Sequence, residues 1–216
     1  MLNDARIKGL TAHLEAHCQC TVATPDDGPV AVAAALLRAL AAAVPGSAPV
    51  VDGVLSHAAR VSVTVPTPLG TLVVLSTAAL ATPLTRARTV VHEAVHAWQI
   101  VQLGGPQTAV DYLGSGELRA LREAHACVAA AWVEYLLTGH LPEEADAVVA
   151  SLGSHLYHLD EGERALARGV AASSLATIRA GHCPPIEVCR VVLAWLRAEA
   201  PETIVPERFH VADGGQ

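Results

Sequence analysis

The sequence predicts an α+β fold: a small antiparallel sheet of about three strands packed on a mainly helical domain. Three observations predict it. β-Branched residues concentrate between positions 50 and 77, where VVDGVL, RVSVTV and TLVVLST stand close together. On either side, apolar residues recur at helical spacing, with Pro, Gly, Ser and Asp where caps and breaks belong. No internal repeat or long linker interrupts the chain, so residues 1–216 read as a single domain. N-terminal helices occupy 1–49, a core occupies 50–138, and C-terminal helices occupy 139–216.

The elements follow in order. Residues 3–20 have the pattern of a helix, and TPDDGPV (24–30) is a loop in which Asp27 is placed to cap a second helix over 29–44. PGSAP (45–49) ends that helix. VVDGVL (50–55) and RVSVTV (60–65) read as strands, the latter alternating polar with apolar, and PTPLG (66–70) reads as a turn into a buried third strand at 71–77. A helix from Leu84 to Leu103 is stopped by GGPQ (104–107). Ser115 then caps a long helix that runs to Thr138, with Gly139 as its C-terminal cap. Pro142 introduces a helix over 141–153, and two more cover 160–180 and 184–199, the last with Pro184 and Pro185 in its first turn.

Composition narrows the function classes. Hydrophobic residues make up 52% and charged residues 16%, far from the balance of a disordered chain. The formal net charge is −7, Lys8 is the only lysine, and no basic cluster occurs, which argues against nucleic-acid binding. The N-terminus MLNDARIKGLTAH has no apolar core of a signal peptide, and the longest apolar stretch (30–44) is broken by Arg38 and too short to span a bilayer. Five cysteines are an odd number in a chain too large to need disulfides. The expectation is a soluble cytoplasmic protein without a membrane partner.

One motif departs from this bland composition. TVVHEAVHAWQ (89–99) sets His92 and His96 four positions apart in a helix that is otherwise apolar. At 3.6 residues per turn both imidazoles lie on one face and can reach a single ion. Glu93 is rotated by about 100° from His92, near enough to act on a water at that ion without ligating it. Two imidazoles that hold Zn2+ and a carboxylate that takes a proton from its water are what a metal-dependent hydrolase needs. Val90, Val91, Val95 and Trp98 supply packing residues, and the preceding hairpin offers an edge strand on which an extended peptide could add. Against this stands the reading of two ordinary core histidines and a solvated glutamate.

A catalytic zinc usually takes a third protein ligand. SGELRALREAHACVAAAW (115–132) offers Glu117, Glu123 and His125. His125 shares a helical face with Leu118, Leu121, Val128 and Trp132, the apolar stripe, whereas Glu123 shares its face with Arg119 and Cys127 among small residues that permit close helix approach. A surface ion pair with Arg119 is the alternative role for Glu123. Elsewhere, HLEAH (13–17) has its glutamate in the wrong place for hydrolysis. Cys18, Cys20, Cys183 and Cys189 have spacings unlike the usual zinc knuckles and read as buried free thiols.

HEAVH, followed 25 residues later by REAHA, resembles the gluzincin metallopeptidases, and among them the small minigluzincins and related bacterial and phage HExxH proteins. The likeness covers residues 50–138. It implies a sheet, an active-site helix and a glutamate helix in that order, and a third zinc ligand in an E-A-x-A setting, which Glu123-Ala124-His125-Ala126 matches. The NExxSD signature of thermolysin-like enzymes is absent. So is the metzincin HExxHxxGxxH, because Gln99 and Gln102 stand where its glycine and third histidine would be. The resemblance implies a zinc metallopeptidase with Glu93 as catalytic base, His92, His96 and Glu123 as metal ligands, and a peptide or protein substrate. Tyr112 and His125 are available to steady an oxyanion. With so little chain outside the core, specificity pockets would come from helices after residue 140 or from a homodimer partner. The alternative is a catalytically silent protein of the same fold that binds a metal or a partner.

Overall fold

The computed structural model describes residues 3–24, 62–67, 70–103, 115–150 and 159–203, with 27, 30 and 34 as isolated positions. The expected helix over 29–44 (30 and 34 apart), the strand at 50–55, the stop at 104–107 and Tyr112 lie outside these residues.

Helix α1 (Asp4–Cys18) starts where the Asn3 side chain accepts the Arg6 N–H at 3.0 Å. It stops at Gln19, whose φ of 51° is left-handed. Ile7, Leu10, Leu14 and Cys18 form its buried stripe. The chain then enters strand β1 (Cys20–Ala23) at once. This strand was not expected: four residues fused to a helix end are too few for period-two alternation to register.

Strands β2 (Val63–Thr67) and β3 (Gly70–Val74) complete a three-stranded sheet of order β1-β3-β2. β2 pairs antiparallel with β3, from Val63 opposite Val74 to Thr67 opposite Gly70, but β1 runs parallel to β3. The sheet is therefore mixed, where the sequence suggested an antiparallel one. A parallel neighbour needs a long crossover, and the chain between Ala23 and Val63 provides the length. β3 is central, and its Thr71, Leu72, Val73 and Val74 are all buried. Pro66 and Thr67, expected in the turn, belong to β2. Pro66 lacks an N–H, and β2 is an edge strand among the described residues, so the ladder tolerates it there.

A single 3-10 turn (Thr77–Leu80), capped by Ser76, leads into helix α2 (Pro83–Leu103). Pro83 occupies the first helical position, where no N–H partner is needed. Val90, Val91, Ala94, Val95 and Ala97 face the core, and Trp98 packs against it half-buried. Helix α3 (Gly116–Thr138) is capped as expected, by the Ser115 hydroxyl on Leu118 N–H and by Gly139 at φ 74°. Gly116 has a packing reason too, since a Cβ there would collide with the Glu163 carboxylate. Helix α4 (Ala145–Val149) is shorter than the predicted 141–153; Leu141 and Pro142 lie in irregular chain before its Glu144 cap. Helix α5 (Glu161–Arg179) opens with a reciprocal capping box between Asp160 and Glu163. Helix α6 (Glu187–Glu199) begins after its two prolines, with Ile186 as the cap, so Pro184 and Pro185 precede the first turn rather than occupy it.

α2 is the hub. It packs on α1, on α3 and on the sheet, while α5 covers the far side of α3. α1 and α6 meet where a Cβ on Gly9 would come within 3.0 Å of the Trp195 ring. No helix of the described residues is long and apolar enough to cross a membrane. Trp132 on α3 is fully buried, and its indole N–H donates to the Cys189 carbonyl of α6 at 3.4 Å. Trp132→Ala is expected to cost about 3–5 kcal/mol in denaturant unfolding, whereas Leu166→Ala, at a position 36% exposed, should change the midpoint little.

Candidate metal centre

The site forms where α2 and α3 lie side by side. On α3, Ala120 one turn before Glu123 and Ala124 beside it are both buried, and side chains this small leave room for the carboxylate to approach α2. That proximity brings His92, His96 and Glu123 into one group, the only cluster of at least three metal-ligating side chains among the described residues.

The three side chains turn four atoms on one another: the Nε2 atoms of both histidines and the two carboxylate oxygens of Glu123. His92 Nε2 and His96 Nε2 are 3.3 Å apart. Glu123 lies 3.5 Å from each, through Oε2 to His92 and Oε1 to His96. Tetrahedral ligands at about 2.0–2.2 Å from an ion are separated by about 3.3–3.6 Å, and the N–N spacing of 3.3 Å and both N–O spacings of 3.5 Å are of that size. Two imidazole nitrogens turned on each other at this distance need either a shared proton or a cation between them. The ligand side chains are 13–16% exposed, leaving the group a narrow opening to solvent.

Glu93 stands apart from the group although it is next to His92 in sequence. It is 5% exposed, and its Oε2 accepts the Thr64 hydroxyl at 2.7 Å. The same hydroxyl lies 3.1 Å from the Glu93 carbonyl, but with one proton to give it favours the closer carboxylate. Strand β2 thus fixes the orientation of Glu93 from outside the helix. Gln99, also 5% exposed, brings Oε1 to 3.4 Å from His96 Nδ1. Cys127, one turn after Glu123, is buried and hydrogen-bonds the His92 side chain.

The electrostatics suit a cation. Burial is the largest influence on Glu123 and would raise its pKa, yet the charge of His96 and the hydrogen bonds from both histidines hold it well below the usual carboxylate range. For His92, burial pulls downward, but the hydrogen bonds to Cys127 and Glu123 and the nearby Glu93 charge hold it well above an ordinary imidazole. Both directions favour the ion pair between the two groups, with the proton on the His92 side and the charge on Glu123.

The remaining candidates fall outside the group. His125 is rotated by about 200° from Glu123 on α3, and burial alone lowers its pKa. Glu117 lies in the first turn of α3, and it too is outside the triad. Cys18, Cys20, Cys183 and Cys189 are free thiols and do not converge on a common point. Sequence reasoning missed Thr64, Gln99 and Cys127 as partners of the site. The alternation of RVSVTV sets Thr64 on the polar side with Arg60 and Ser62, so nothing in the sequence pointed it at the buried Glu93. No family model, curated protein or solved structure matches this chain.

A ligating imidazole must be neutral, so a divalent ion that enters at neutral pH has to displace the proton on His92. Affinity for the ion should therefore fall as the pH is lowered, with release of about one proton per ion bound at neutral pH. Titration calorimetry in buffers of different ionisation heat reads that proton directly. Heats independent of the buffer would contradict a protonated His92.

Proposed function

We propose that this chain is a zinc-dependent peptidase in which His92, His96 and Glu123 hold the metal and Glu93 is the general base. The observation that carries this reading is the position of Glu93. It is a buried carboxylate beside the triad and not a member of it, oriented by Thr64 at 2.7 Å. Holding a metal takes only the three ligands, and the peptidase reading gives this additional carboxylate a chemical role. Two imidazoles and one carboxylate suit zinc, with a fourth position left for water or substrate. Zinc bound there would supply a Lewis acid that polarises a carbonyl and a water whose pKa is lowered to about 7. The chain's own part would be the proton transfer: Glu93 would take a proton from the attacking water and return it to the leaving amine, with Thr64 keeping its carboxylate aimed. The order of sheet, HExxH helix and glutamate helix supports the gluzincin resemblance. Five cysteines, none of them in a disulfide, fit a reducing cytoplasm. A peptide or protein is the proposed substrate, in extended form along β2.

One observation favours a second reading. The burial of Glu93 and its short tie to Thr64 would equally suit a carboxylate that braces the helix against the sheet, in a protein that binds metal or a partner without cleaving.

The two readings separate in one assay. Zinc-loaded protein is incubated with a quenched-fluorescent peptide library, with and without a chelator. The peptidase reading expects cleavage that zinc restores after chelation, and a fall of about 10²–10⁴ in Glu93→Gln at unchanged zinc content. Thr64→Val should retain zinc and lose roughly 10–100-fold in rate through misplacement of the base. Zinc bound at full occupancy with no cleavage of any peptide would favour the silent module.

A further inference from the structure

Gln99 is buried on the inner side of α2, in a core that otherwise takes Ala, Val and Leu. An amide side chain costs free energy in such a place unless its polar atoms are paired. Its Oε1 lies 3.4 Å from His96 Nδ1, one turn back along the same helix. The opposite nitrogen of that ring, Nε2, is the one turned to His92 and Glu123. A neutral imidazole carries one proton, and an acceptor at Nδ1 holds it there, which leaves the Nε2 lone pair free to ligate.

We infer that Gln99 is a positioning residue that fixes His96 in the Nδ1–H tautomer and sets its ring angle, and thereby sets the affinity of the centre for zinc. The inference rests on the metal-site reading above but not on peptidase activity. It also distinguishes the two histidines. At Nδ1, His96 meets a neutral amide on its own helix, whereas His92 is hydrogen-bonded by Cys127 from α3.

The test is zinc affinity, measured by competition with a chromophoric chelator on the full chain at fixed pH. Gln99→Met removes the acceptor at nearly constant shape, and Gln99→Glu strengthens it. Loss of a hydrogen-bond partner behind a ligating histidine costs about 10–100-fold in metal affinity. That loss is expected for Gln99→Met, while Gln99→Glu should match or exceed the wild type. The melting temperatures of the metal-free proteins provide the control, because a packing defect would lower them and would not be rescued by glutamate. An unchanged affinity in Gln99→Met, or a loss in both variants, overturns the positioning role and leaves the metal site standing. Absence of zinc binding in the wild type would overturn both.

Discussion

The close approach of α2 to α3 is the constraint on which the rest of the site depends. His92 and His96 belong to one helix and Glu123 to the other, so no pair of ligands on a single helix makes the group. The two helices lie near enough for the Glu123 carboxylate to reach both imidazoles at 3.5 Å. Further along the same interface, an ion pair from Arg88 to Glu134 at 3.0 Å clasps the two helices. The sheet acts from the other side, where Thr64 on β2 meets α2 at Glu93.

The arrangement has a thermodynamic cost. Two imidazoles, two carboxylates, an amide and a thiol are gathered in a region whose other members are Ala, Val and Trp. Removing charged groups from water costs several kcal/mol each, and a hydrophobic packing of the same volume is often at least as stable. The groups that remain are matched instead: Glu123 with both histidines, Glu93 with Thr64, His96 with Gln99, His92 with Cys127. Such pairing keeps the polar groups satisfied while the Nε2 atoms and Glu123 oxygens all face a common point.

Much of this was legible in the sequence because it is local. HEAVH sets two side chains on one face by helical period alone, and Ser115 with Gly139 bounds α3 by cap chemistry. Glu123 was readable one step further, from its small neighbours and the E-A-x-A likeness. What was not legible is non-local. The parallel pairing of β1 with β3 joins segments about fifty residues apart, and CTVA carries no pattern that announces a strand. Thr64 and Gln99 gain their roles only from where helix and strand come to rest. Gln99 entered the sequence argument merely as a residue that was not the metzincin glycine. The helix starts at Ala145 and Glu187 were misplaced because prolines upstream were counted inside the first turn, while the chain holds them just before it.

The most direct test of the account is X-ray absorption at the zinc edge on the purified, zinc-loaded protein. The account predicts about one zinc per chain in a shell of nitrogen and oxygen only, near 2.0–2.2 Å, with the outer scattering of two imidazoles. It also predicts loss of that spectrum in His96→Ala. Sulfur scatterers near 2.3 Å would assign the metal to the cysteines, and a protein that takes up no stoichiometric zinc would mean that HEAVH is a packed helix and nothing more.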